Sequence, residues 1–443
     1  MSASAARLPF RVAMGWGVGT LVTSVIFNST NLLLIKFMTD HLGIVPVLAG
    51  ALYAASKIYA GIFDPMMGVI TDRSTSKHGR RRPFLMWGAV MGAASLIFLF
   101  NVPEFESTAA TLIYMSAALV LFSTGYTFFN VPYMAMPAEM TTDRHERSIL
   151  LSYRAYATSI GQAIAVTAAP LMIDAFGGGR VGHSRMVWVL AAIVLTAGAV
   201  CVILTKPAPA TTYNRATATP LKVQLGTILK NRPFLVLLAV KTLMLFASNA
   251  HNATMAYFTT YILKTGNTVL GVLGLAHTIG LFVSQPLWVA LSKRFGKRAT
   301  YIVAALSYAG ISLAWLAAWW AMGPGRNPEI FYAISFVNGI AGGGVFLMPN
   351  AMLPDTISHG SASSGQNIEG SYAAIYALIE KVAQASAGFM IGAMLSAFGY
   401  IQAAKGVAVD QPDLALTGII LCFVVVPAAA LVLSAAAARR YQL

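Results

Sequence analysis

Twelve stretches of this sequence are apolar for long enough to cross a lipid bilayer, and nothing else in it narrows the possible folds so far. They lie near 12–38, 44–71, 84–102, 109–136, 149–174, 186–206, 233–263, 269–292, 299–321, 329–354, 367–396 and 415–437. About 20 helical residues span the hydrocarbon core. With no water there to partner its amides, such a run must satisfy its own backbone as a helix. An all-α membrane protein of twelve transmembrane helices is therefore expected. Composition agrees: 57% of the 443 residues are hydrophobic and 10% charged, where a soluble domain carries about 25% charged. A single soluble core stops growing near about 250–300 residues and could not hide this much apolar side chain. The first run is too long for a cleaved signal and lacks a small-residue cleavage site, so a permanent helix is expected there.

Charge placement sets the expected orientation. With the N-terminus inside, 20 of the 30 Lys and Arg fall in cytoplasmic segments, among them Arg7, Arg73, Lys77, Arg80, Arg81, Arg215 and Lys297; 5 fall outside, including Arg180, Arg326 and Lys405. This positive-inside bias places both termini in the cytoplasm of a multi-pass inner-membrane protein. It also accounts for the net charge of +15, which in a soluble chain would point to nucleic acid; no nucleic-acid partner is expected. Cys201 and Cys422 sit in apolar runs with no metal or redox spacing.

The longest polar stretch between spans runs from Pro207 to Arg232 and has the composition of a flexible connector. It divides the chain into an N-terminal six-helix bundle, 1–206, a cytoplasmic linker, 207–232, and a C-terminal six-helix bundle, 233–443. The halves echo one another. Gly79-Arg80-Arg81 is matched by Gly296-Lys297-Arg298, and the segment from Pro132 through Pro137 to Glu139 by that from Pro349 through Pro354 to Asp355. Two six-helix halves with internal similarity are what a transporter of the major facilitator type shows, with its site near mid-membrane.

Ionisable groups at bilayer depth cost at least about 2.5–3.5 kcal/mol each and usually serve a function. Lys57 and Asp64 lie seven residues apart, about two turns, on one helix face. Arg154, Lys241, Glu380 and Lys381 are also embedded. Simpler roles exist for several of them. Arg154 and Lys36 can snorkel to a headgroup layer, Lys241 can pair with a helix carboxylate, Glu380 can neutralise Lys381, and Asp64 can cap a kink at Pro65. For Asp64 and Lys381 a place in a transport pathway is the preferred reading. The sequence has no G-x-x-x-x-G-K-[ST] loop, no Gly-x-Ser-x-Gly elbow and no i, i+4 histidine pair, so neither ATP-driven transport, an enzyme nor a zinc site is expected. Glu104 and Glu106 read as solvated surface.

Asp64-Pro65-Met66-Met67-Gly68, Asp72-Arg73 and Gly79-Arg80-Arg81-Arg82-Pro83-Phe84 resemble the signature of the glycoside-pentoside-hexuronide:cation symporters. Asn130-Val131-Pro132-Tyr133, Pro137-Ala138-Glu139, Glu146-Arg147 and Ser152-Tyr153-Arg154 resemble that family's helix 4 to helix 5 segment. Gly370-Ser371-Tyr372 with Glu380-Lys381 and Gly388 resembles its helix 11. The fold implied is the major facilitator fold.

The resemblance also assigns roles. Of the family's two helix 2 aspartates that bind the coupling cation, Asp64 is kept and the other position is Ala60; the helix 1 cation aspartate falls at about Ser24. A hard cation such as Na⁺ wants several oxygen ligands, so the coupling ion is expected to be H⁺ rather than Na⁺, with no other cofactor. Lys57 stands where the family has a basic helix 2 residue. The helix 4 sugar-binding aspartate aligns with Asn130, the helix 5 arginine with Arg154 and the helix 11 lysine with Lys381. Tyr126 matches a sugar-contacting tyrosine, and Met134 replaces the aromatic that stacks on the sugar. Carboxylates are lost while cations remain, so the expected cargo is a small-molecule solute that carries negative charge, such as a sugar acid. The alternative cargo is a lysophospholipid or other amphiphile, which some eukaryotic relatives move. A monomer in the lipid bilayer suffices for the fold.

Overall fold

A computed structural model of the chain describes residues 8–74, 76, 79–141, 143–208, 221–322, 328–364, 369–403 and 409–442. Among the charges that set the expected orientation, Arg7, Lys77, Arg215, Arg326 and Lys405 lie outside the described residues, as does most of the connector, 209–220.

The apolar runs are helices in chain order. They are α1 (Phe10–Asp40), α2 (Pro46–Asp72), α3 (Arg82–Phe100), α4 (Thr108–Met140), α5 (Arg144–Ala163), α6 (Ala169–Ala175) and α7 (Gly179–Leu204). After the connector come α8 (Leu221–Lys230), α9 (Arg232–Tyr257), α10 (Asn267–Val283), α11 (Gln285–Phe295), α12 (Lys297–Met322), α13 (Glu329–Ser364), α14 (Glu369–Ala397), α15 (Asp413–Ile420) and α16 (Val426–Ala438). Three spans contain a turn wound in π geometry: Ile164–Ala168 joins α5 to α6, Phe258–Ile262 ends α9, and Leu421–Val425 joins α15 to α16. Among the described residues, eleven helices are long and apolar enough to cross a membrane. The pair α10 and α11, bent by 42° at Ser284, makes a twelfth. The run expected as one helix over 269–292 is therefore broken. Pro286 has no amide proton to give, and its ring clashes with the carbonyl four residues earlier, so a straight helix cannot pass through it.

The chain forms two compact units. The first takes in α1, α3 to α7 and α2 from Ala55 onward; the second takes in α8 to α16 and the start of α2, Val45–Ala54. In the first, Trp16 of α1 stacks on Tyr133 of α4, with ring centroids 4.8 Å apart. Trp16 Nε1 donates to the Tyr133 carbonyl at 3.3 Å, and the Tyr133 hydroxyl returns a bond to the Trp16 carbonyl at 2.8 Å. In the second, Val240, Met244, Trp288, Tyr301, Met348 and Leu431 pack in one buried cluster. Leu221–Lys230 is a helix, and its Ile228 is buried against Phe234, Leu237 and Tyr372. Asn231 then caps α9, accepting from the Phe234 amide at 3.1 Å.

The sequence echo between the halves has a counterpart in contacts. Arg80 and Arg81 both bond Glu139 at the end of α4, the latter at 2.6 Å, and Arg81 also reaches Asp72 at 2.8 Å. In the second unit Lys297 bonds Asp355 at 2.6 Å. Corresponding motif residues thus make corresponding ion pairs.

Candidate transport site

In the first unit the polar residues gather on α2 and α4, with α1 and α5 alongside. Asp64 is half-buried in α2, and its Oδ1 accepts from Thr127 Oγ1 of α4 at 2.6 Å. The same pair of helices is joined by Ser123 Oγ donating to the Ser56 carbonyl at 2.9 Å and by Tyr59 and Thr124 hydroxyls 3.0 Å apart. Two turns earlier, Lys57 is buried, its ammonium 4.6 Å from the Phe122 ring centre on α4 and 5.8 Å from that of Phe27 on α1. Aromatic faces supply part of the stabilisation that water would give this cation.

Tyr126, Asn130 and Met134 follow one another at intervals of four along α4, so they share a broad face one turn apart. Tyr126 and Asn130 are half-buried, and Met134 is exposed. Arg154, on α5, is half-buried. Its helix is held to α1 by Ser24 Oγ, which donates to the Thr158 carbonyl at 2.9 Å; within α5, Thr158 Oγ1 donates back to the Arg154 carbonyl at 2.9 Å. Ser24 also sits against Gly161, and Asn28 Nδ2 donates to its carbonyl at 2.8 Å. The structure thus gives Ser24 a role in the α1–α5 seam, while Asp64 and Lys57 share the α2–α4 seam with residues next to Tyr126.

In the second unit Lys381 is half-buried on α14, and its neighbour Glu380 takes part in a separate cluster. Lys241 of α9, 3% exposed, donates to Glu380 Oε1 at 2.7 Å and to the Tyr376 carbonyl at 3.1 Å. Its ammonium also lies 3.3 Å from the centre of the Tyr376 ring. Tyr376 in turn donates from its hydroxyl to Asn350 Oδ1 at 3.3 Å. The carboxylate partner of Lys241 is therefore Glu380, which the sequence reading had set against Lys381. Thr127 and Tyr376 went unnoticed in the sequence, because a hydroxyl or ring in a membrane helix carries no local sign of what it will touch.

The chain belongs to the MFS/sugar transport protein family, which matches residues 15–443. It is a multi-pass membrane transporter of the major facilitator fold and not an enzyme. It is 27% identical over 426 residues to the putative glycoside/cation symporter YagG of Escherichia coli (strain K12), covering 95% of this chain and 89% of that one. A second E. coli K12 relative, the putative 2,3-dihydroxypropane-1-sulfonate exporter, is 26% identical over 411 residues, covering 89% of this chain and 85% of its own. Among solved structures, a D-xylose-proton symporter shares the fold with a TM-score of 0.67 at 14% identity, covering 98% of each chain.

Proposed function

We propose that this transporter is an inner-membrane symporter that moves a sugar, glycoside or sugar acid by alternating access. It is coupled to H⁺ rather than Na⁺, with both termini in the cytoplasm. The observation that carries the ionic half is the setting of Asp64. Of the three carboxylates that the symporter resemblance calls for, Asp64 is the one kept, and its Oδ1 accepts from Thr127 Oγ1 at 2.6 Å. Ala60 offers no oxygen, and the Ser24 hydroxyl is engaged by the Thr158 carbonyl. One carboxylate in place of three supplies fewer anionic oxygens for a hard cation, which favours H⁺ as the coupling ion. The cargo half rests on the relatives' names, one a glycoside/cation symporter, and on the surplus of Lys57, Arg154 and Lys381 over carboxylates at the expected contacts. A relative named for a sulfonate is in keeping with an anionic cargo. The orientation rests on the bias of Lys and Arg between loops.

The test is uptake of radiolabelled D-glucuronate into proteoliposomes, with pH and Na⁺ gradients imposed separately. Uptake driven by an inward proton gradient, unmoved by Na⁺ at fixed pH and not inhibited by a neutral methyl galactoside, is the expected result. Strong stimulation by Na⁺ overturns the ionic half. Inhibition by the neutral glycoside but not by other uronates overturns the anionic cargo.

A further inference from the structure

Deep in the second unit, away from Lys381 and Glu380, several helices bring polar groups to one level of an otherwise aromatic core. On α12, Tyr308, Ser312 and Trp315 stand at intervals of four and three, so they share a face. On α13, Phe331, Asn338 and Gly342 share a face in the same way, at seven and four. The two faces meet at both ends. Trp315 stacks on Phe331 with centroids 5.6 Å apart, and a Cβ on Gly342 would lie 3.5 Å from the Tyr308 ring and 3.6 Å from the His277 ring of α10. Asn338, 1% exposed, lies between these two contacts along α13. Both its Oδ1 and its Nδ2 are buried with no protein group in hydrogen-bonding reach, and so is Nε1 of Trp315.

Exchanging the amide's oxygen and nitrogen does not cure this, because both are unpartnered. Leaving a buried amide without partners is costly, so native structures almost always supply one. His251 of α9 borders the same level, its ring 6.3 Å from Trp315 and 6.0 Å from Tyr308. Its Nδ1 lies 3.1 Å from the Phe423 carbonyl. A carbonyl can only accept, so Nδ1 carries the proton, and in the neutral tautomer Nε2 keeps a lone pair. Phe423 belongs to the π-wound turn of Leu421–Val425 and stacks at 4.3 Å on Phe258, which belongs to the π-wound turn of Phe258–Ile262. Single π turns inside α-helices recur at functional sites, and here two face each other across the same aromatic cluster.

We propose that the core of the second unit holds a buried water-binding site whose polar walls are Asn338, Trp315 and His251, with His277 at its edge. The walls are a neutral amide, an indole N–H and an imidazole. Together they offer both donors and acceptors and no formal charge, which suits water and disfavours an ion at this depth. Water at the amide satisfies both of its atoms at once, and it keeps a solvent-exchangeable proton beside His251 in the middle of a bilayer-spanning bundle.

Indole N–H exchange tests this in the full-length protein. Trp288 lies in the same unit with its Nε1 donating to the Ile340 carbonyl at 2.7 Å, and it serves as the protected reference. With ¹⁵N-labelled tryptophan in D₂O buffer, the Trp315 indole proton, identified by its loss in Trp315→Phe, is expected to exchange at least about tenfold faster than that of Trp288. Asn338→Leu is expected to slow Trp315 toward the Trp288 rate. Equal rates in the wild-type protein overturn the site. An unchanged Trp315 rate in Asn338→Leu overturns the assignment of its amide. If Asn338→Leu does not fold, the wild-type comparison decides, together with a high-resolution density map, in which a water peak within about 3.2 Å of the Asn338 amide is expected.

Discussion

Lys241 shows how a single embedded cation shapes what surrounds it. It is almost fully buried, and its partner Glu380 is 48% exposed. The Glu380 carboxylate, 2.7 Å away, is the counter-ion of this buried ammonium. Removing one partner of a fully buried pair costs about 3–5 kcal/mol. Solvent screens part of the attraction here because Glu380 is half exposed. Glu380→Gln is therefore expected to destabilise the protein by about 2 kcal/mol in detergent melts, with Lys241→Met on the same chain restoring most of the loss. If the single and double variants melt alike, the pair is not what stabilises this site. The pairing itself was illegible in the sequence: the partners stand 139 residues apart, and only the packing of α9 on α14 selects Glu380 over its neighbours.

His41, in the turn after α1, allows a second prediction at this scale. Burial first, and then the Lys36 ammonium, lower its pKa from 6.5 to about 4, although Asp40 opposes the shift. Its ring packs on those of Phe37 and His183, 5.4 and 5.0 Å away, and Arg180 is the further cation nearby. The folded state thus favours the neutral ring. Above pH 6.5 both states are neutral and no stability is linked to this group. Between 6.5 and about 4 the unfolded chain binds the proton and the folded chain does not, so stability falls as pH falls through that window. Thermal melts from pH 7 to 4.5 are expected to show that slope, and His41→Phe to reduce it. A slope identical in the variant would remove His41 as its source.

At the scale of elements, the apolar runs predicted the helices well because bilayer thickness leaves the backbone few choices. What they missed has identifiable physical causes. The π turns add a residue to a helix without altering its apolar composition, so hydropathy cannot see them. The break at Ser284 was signalled by Pro286 but hidden within an unbroken apolar run. Leu221–Lys230 was lost in a segment whose average composition is polar, although Ile228 anchors it under Phe234. The α1–α5 seam was equally hidden, since it depends on one absent side chain. A Cβ on Gly161 would stand 2.6 Å from Cβ and 2.8 Å from Oγ of Ser24. Both atoms belong to a side chain fixed by its bond to the Thr158 carbonyl, so the helices themselves must part. Gly161→Ala is expected to cost about 1–3 kcal/mol of stability by overpacking and to weaken cargo binding, because α5 also carries Arg154. A melt within error of wild type would mean that the seam can open without cost.

For the whole molecule, the sequence echo between the halves was a better guide than any single motif. It joined residues about 216 apart, and the structure pairs Arg80 with Glu139 and Lys297 with Asp355 in matching places. The symmetry ends at the residues expected to do the work. Asp64, Lys57, Tyr126, Asn130 and Arg154 all lie in the first unit, and Lys381 lies in the second. That asymmetry fits a proposed division of labour in which the first unit carries the coupling proton. Coupling is a thermodynamic property, and it can be separated from cargo recognition. A symporter that loses its proton site can still exchange cargo across the membrane, but it can no longer accumulate cargo against a gradient. Asp64→Asn keeps the shape of the side chain and an acceptor oxygen for Thr127, and it cannot be ionised. Proteoliposomes bearing Asp64→Asn are therefore expected to retain D-glucuronate counterflow within a few-fold of wild type while losing uptake driven by a proton gradient. Full proton-driven accumulation in that variant would show that the coupling proton rides elsewhere. Loss of counterflow as well would make Asp64 part of the cargo contact and move the coupling site to another group.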